Sequence, residues 1–366
     1  MAPPPPRLMD ELIEEILLFF PTDDPASLVR AALVCKSWCR IVSHPRFSCR
    51  FRELHNTPTM LGVFVNFVAG NGAGARADHV SSFVPTATSC PSLPNRRAFR
   101  TLDARHDRVL LHNKHAPQEF LVVWDPIADE QQVLPDLQLY RQSQAWNAAV
   151  LRPSTSPGCH GSGPFLVIFV GITHLAAHLC TYSQDAAAWS EALHLDPLDV
   201  RAGDVVGPSI LAGDALCFAV GGRVLRYDVA GHALSKIPSS PFMNSSNMCL
   251  VTLENGELGA VADANGHNLS LWGYNGLGGW QRLRIINLDT TECRVLGFAE
   301  GGDAIFVSAE AGIFAVELKT TRTSKVCERE GRHFSSVVPF LSFYVPGTSL
   351  RAKSRENPSM RAERLQ

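Results

Sequence analysis

The chain of 366 residues has no run approaching the roughly twenty apolar residues that cross a bilayer. Its best run, Phe165 to Val170, has the length of a strand. The opening residues, Met1-Ala-Pro-Pro-Pro-Pro-Arg7, lack the charged start and apolar core of a secretory signal. An excess of one charge is missing too. Lys and Arg number 33 against 35 Asp and Glu, which leaves no basic field for nucleic acid. The ten cysteines are scattered singly with no Cys-x-x-Cys pair, which argues against a disulfide framework. Together these absences imply a soluble protein of the cytoplasm and/or nucleus, with neither a membrane nor a nucleic-acid partner.

The signatures of catalysis are also missing. There is no Gly-x-Ser-x-Gly elbow, no Gly-x-Gly-x-x-Gly after a strand and no phosphate-binding Gly-Lys-Ser/Thr loop. Gly70-Asn-Gly-Ala-Gly74 is glycine-rich, but no helix bearing a lysine follows it. Cys35 and Cys39, with His44 beyond, fall short of the four converging ligands of a zinc site. His106, His112 and His115 have no Cys or carboxylate at metal spacing and read as surface or hydrogen-bonded histidines. No catalytic residue, metal or cofactor is therefore expected.

What is present begins at Asp10. Leu12, Ile13, Ile16, Leu17 and Phe20 recur at helical spacing, with Glu11, Glu14 and Glu15 opposite, and Pro21 stops the run. Asp24 as N-cap and Pro25 at the first helical position open a second helix carrying Leu28, Ala31, Ala32 and Cys35. A third short helix presents Trp38, Ile41 and Val42 and ends before Pro45. An ordinary small helical core accounts for many of these residues. A unit of about fifty residues nevertheless buries its apolar surface poorly and leaves some for a partner.

The whole string, Leu8-Met9-Asp10-Glu11-Leu12, Glu15-Ile16-Leu17, Pro21, Ser27-Leu28, Val34-Cys35-Lys36-Ser37-Trp38 and Pro45-Arg46-Phe47, resembles the F-box. It departs from that pattern at Met9, where the family carries a proline that pins the start of the first helix. The resemblance implies docking to a Skp-type adaptor and, through it, to the cullin and RING subunits of a ubiquitin ligase. It places that contact on Leu8, Met9, Leu12, Ile16, Leu17, Leu28, Cys35 and Trp38.

Beyond residue 60 the texture changes. Short apolar runs such as 63–68, 108–112, 120–124, 165–170, 216–220 and 304–308 alternate with Gly, Asn and Asp turns, the pattern of successive strands. Tyr227, Trp272 and Phe314 recur 45 and 42 residues apart, the length of a four-stranded propeller blade, which allows six or seven blades. A pair of β-sandwiches is the structural competitor. Asp125 and Asp228 follow strand-end aromatics and are expected to hold turns. Trp124-Asp125-Pro126 followed by Leu134-Pro135, then Gly256-Glu-Leu-Gly259, Leu269-Ser-Leu-Trp272 and Gly278-Gly279-Trp280-Gln281, are similar to the F-box-associated region of plant F-box proteins.

The expectation is thus an α+β multidomain chain. A three-helix F-box occupies 1–55, an all-β domain (a six- or seven-bladed propeller) occupies 56–345, and a disordered, charged tail covers 346–366. The loops 70–78 and 153–164 are expected to be mobile. The role implied by resemblance is that of a non-catalytic substrate adaptor, with the β-domain holding a protein substrate by unknown residues. A non-degradative Skp-binding scaffold and a ligand- or glycan-binding propeller are the alternatives.

Overall fold

The computed structural model describes residues 8–69, 78–86, 93, 96–113, 119–153, 163–174, 176–195, 207–220, 223–238, 247–263, 268–276, 279–288, 293–301, 303–329 and 332–345. The expectations for the loops at 70–77 and 154–162, and for the tail from 346, fall outside these residues.

Four helices form the head: α1 (Asp10–Leu18), α2 (Pro25–Val34), α3 (Lys36–Val42) and α4 (Pro45–His55). The first three are the expected ones. The fourth arises because Pro45, which ends α3, occupies the first turn of a new helix, where its missing N–H costs nothing. His44 caps α4, its Nδ1 accepting from the Arg46 N–H at 3.2 Å. Arg50 on α4 reaches Glu14 at 2.7 Å and Glu15 at 2.5 Å on α1, and Ser37 donates to Asp10 at 2.9 Å. Inside, Ile13, Leu17, Leu18, Leu28, Ala31, Val42, Phe47 and Phe51 form one core.

The rest is a six-bladed β-propeller. Blades at 99–133, 210–237, 248–287 and 294–327 are four-stranded antiparallel sheets in chain order. The blade at 145–195 differs only in its outer strand, which is split into Ala188–Trp189 and Leu193–Leu195. Strands such as Ala215–Val220 are buried at every position, as expected where sheets pack on both faces.

The sixth blade closes the ring. The last strand, His333–Ser342, is its innermost and pairs with the first, Thr59–Ala69, from Thr59↔Ser342 to Val68↔His333. A buried polar knot fastens this blade to the next: the Asn66 amide donates to the Thr101 carbonyl at 2.7 Å and accepts from the Thr101 N–H at 2.9 Å. At the neighbouring inner strand Gly297 is required, since a Cβ there would lie 2.1 Å from the Val337 carbonyl oxygen.

The turn-holding role expected of Asp125 and Asp228 is visible. Asp125 accepts from the N–H groups of Ile127 and Ala128 at 3.0 and 2.9 Å, and Asp228 from those of Ala230 and Gly231 at 3.1 and 3.0 Å. Tyr227 is fully buried as a blade anchor, whereas Trp272 and Phe314 are only part-buried against the core.

Head and propeller share a core. Just past the closing strand, Phe343 and Val345 enter the helical cluster, Phe343 meeting Phe51 edge-on at 6.3 Å. The Arg52 guanidinium lies 5.5 Å from the Phe343 ring and pairs with Asp107, whose other oxygen accepts from Ser342 at 2.5 Å.

Candidate functional site

Two features could carry function: the outer surface of the head and the cavity beneath it. On α1, helical spacing splits the apolar residues into two stripes rather than one. Ile13 and Leu17 turn into the core, while Leu8, Met9, Leu12, Ile16 and Phe19 are exposed. Leu12 is 47% and Ile16 51% exposed, unusual for aliphatics on a helix that has a core at its back.

Of the residues picked from the sequence, Leu8, Met9, Leu12 and Ile16 lie on the exposed side of α1 or just before it. Cys35 is exposed where α2 passes into α3, and Trp38 is half-buried, packed against the core. Two do not belong there. Leu17 and Leu28 are 0% and 1% exposed, so they support the head from inside and present nothing to a partner. Three exposed residues were overlooked: Phe19, Leu33 and Val34, the last two 79% and 64% exposed. Their signal was available, because α2 ends Ala31-Ala32-Leu33-Val34, apolar all round where a core-packed surface helix keeps a polar face.

The N-cap of α1 explains how Met9 replaces a proline. Its φ of −66° is the value a proline ring would impose, and its carbonyl accepts from the N–H groups of Leu12 and Ile13, both at 3.1 Å.

The cavity, about 770 Å³, sits at the mouth of the propeller axis on the side of α4. Arg105, Asp103, Glu300 and Ser209 converge in it from three blades. Arg105 reaches Asp103 at 2.5 Å, Glu300 at 2.5 Å and the Ser209 carbonyl at 2.8 Å. Burial pushes the Asp103 carboxyl up to about 6, against the pull of Arg105. The group is also satisfied by the Val150 N–H at 2.8 Å. These charges are engaged with one another, and they tie the inner strands together. His112, expected to be surface or hydrogen-bonded, is buried and touches Glu119 at 3.2 Å and Tyr140 at 2.8 Å. Among the described residues no group of three or more His, Cys, Asp or Glu side chains could hold a metal, and no helix is long and apolar enough to cross a membrane.

A helical head with an exposed apolar face shares its core with a closed six-bladed propeller. Residues 6–50 match the F-box domain, so the head is an F-box. No curated protein matches the chain. Solved structures similar to it include a provisionally assigned 6-phosphogluconolactonase from Bacteroides uniformis ATCC 8492, 10% identical, covering 77% of this chain and 99% of that one with a TM-score of 0.39. A functionally unknown protein from Desulfotomaculum acetoxidans DSM 771 is 13% identical, with 73% and 78% covered and a TM-score of 0.38.

Proposed function

We propose that this chain is a substrate adaptor of a Skp–cullin–F-box ubiquitin ligase. The observation that carries the reading is the exposed apolar face of the F-box. Leu8, Met9, Leu12, Ile16 and Phe19 stand exposed on α1 or beside it, and Leu33, Val34 and Cys35 are exposed at the end of α2. Burying such a face against a Skp-type protein is favourable, since each fully covered aliphatic contributes about 1.5–3 kcal/mol. The propeller holds a protein substrate beside a ubiquitin-charged enzyme of the assembled ligase. The rate gain comes from effective concentration and orientation, and this chain supplies no catalytic group.

The test is calorimetry of the full chain with a purified Skp-type adaptor. Leu12→Asp and Leu33→Asp sit on the outer face and leave the core intact. Each is expected to weaken binding about thirtyfold or more, the loss of a ~2 kcal/mol hot spot. Unchanged affinity in both, with the fold retained, would reject the reading.

A further inference from the structure

At about 770 Å³, the cavity beneath the head has the volume of a small-molecule site. Head and propeller build it together. Arg52, Glu53 and Asn56 enclose it from the end of α4, while Leu211, Phe298, Pro339 and Leu341 give it an apolar wall drawn from three blades. Charge decides what such a space accepts. Its cations are Arg52, Arg105 and Arg152, and its acids are Glu53, Asp103, Asp107 and Glu300. Arg52 holds Asp107, Arg105 holds both Asp103 and Glu300, and Glu53 and Arg152 are engaged as well. An anion therefore finds no surplus of positive charge, and a cation would have to pull a carboxylate out of an existing contact.

One polar side chain is left over. His106 lines the cavity, and among the described residues its ring makes no hydrogen bond. Its backbone is costly. Arg105 pairs with Arg108 across a two-residue hairpin turn in which His106 and Asp107 have φ of 52° and 65°. Asparagine and glycine are the usual occupants of such left-handed positions. Asp107 has a reason to stand there, since it fastens Arg52 of α4 and Ser342 of the closing strand. His106 fastens nothing in the described fold, and residues held in this region without a structural role point to function. Displacement of water by the surrounding protein, then the charges of Arg152 and Arg105, hold its ring below the usual histidine range. At neutral pH it is a neutral imidazole, with one donor and one acceptor to offer.

We infer that this cavity binds an uncharged, mainly apolar small molecule, which packs on the Leu211–Phe298–Leu341 wall and hydrogen-bonds His106 through a hydroxyl or carbonyl. A peptide segment fits less well, because each backbone amide it buried would need a partner, and the cavity's charged groups are already paired. The ligand touches both α4 and the inner strands, so its binding holds the head to the ring. The cavity lies apart from the exposed face of the F-box, and the inference does not depend on the adaptor reading.

The experiment titrates the full chain with Nile red, an uncharged ring compound bearing one carbonyl, and follows its fluorescence. Saturable binding is expected, and bound dye should slow hydrogen exchange both at the end of α4 and at residues 298–301. Naphthol should displace the dye, whereas naphthoate, the same rings with a charge, should not. His106→Gly deletes the imidazole and suits the left-handed turn. It should keep or raise the melting temperature while weakening the dye about fivefold, the loss of one hydrogen bond. Leu341→Trp fills the cavity and should abolish binding; should that variant fail to fold, His106→Gly decides alone. No saturable binding, protection confined to α1 and the end of α2, equal displacement by naphthoate, or unchanged affinity in His106→Gly would overturn the inference.

Discussion

Asp103 illustrates how a single residue serves the ring and also taxes it. Its carboxyl is 3% exposed and held between Arg105 and the Val150 N–H, and burial lifts it to about 6 from an ordinary 3.8. The folded chain therefore keeps a proton between those two values that the unfolded chain has released. Raising the pH through that window favours unfolding, so the Asp103 contribution falls from about pH 4 to about pH 6 and is level above it. Unfolding midpoints of the parent and of Asp103→Asn, compared across this range, measure it. The parent should lose stability relative to the variant as pH rises, and a gap that ignores pH would show that Asp103 is not the titrating group. At this scale the sequence was legible where the chemistry is local. Asp125 and Asp228 hold turns two and three residues ahead, which the strand-end pattern already indicated. The knot of Arg105 with Glu300 was not, because the partners stand 195 residues apart.

For single elements the same division applies. Periodicity identified α1 and the strands, since each needs only its own residues. It could not divide the apolar positions of α1 between core and partner, because Ile13 and Ile16 differ only in what faces them. Leu17 and Leu28 went to the wrong side for that reason, and α4 was unmarked because its apolar stripe is little more than Phe47 and Phe51. The start of α1 gives a prediction at this scale. Met9 already has the φ of proline, so Met9→Pro removes unfolded-chain freedom without straining the cap. The expected gain is about 0.4–1 kcal/mol, read as a higher denaturant midpoint with unchanged slope. A lower midpoint would mean that the Met9 N–H or side chain contributes more than its backbone geometry suggests.

Across the whole molecule, the two halves are joined where the chain ends its ring. Ser342 closes the sixth blade, and within three residues Phe343 and Val345 are inside the F-box core. No periodicity could reveal this, since those residues lie some three hundred positions from the helices they complete. The arrangement matters for an adaptor, because a substrate is presented usefully only if the head fixes the direction of the propeller. Phe343→Ala removes the ring that Phe51 and Arg52 pack against and is expected to cost about 3–5 kcal/mol. The loss should fall on the head first. Hydrogen exchange of the amides of α2 and α4 should quicken in the variant, while the inner strands of the blades at 145–195 and 210–237 keep their protection. Adaptor affinity should drop with it, although Phe343 does not lie on the exposed face. Unchanged exchange in the helices would mean that the F-box holds its shape alone and that Phe343 merely rests against it.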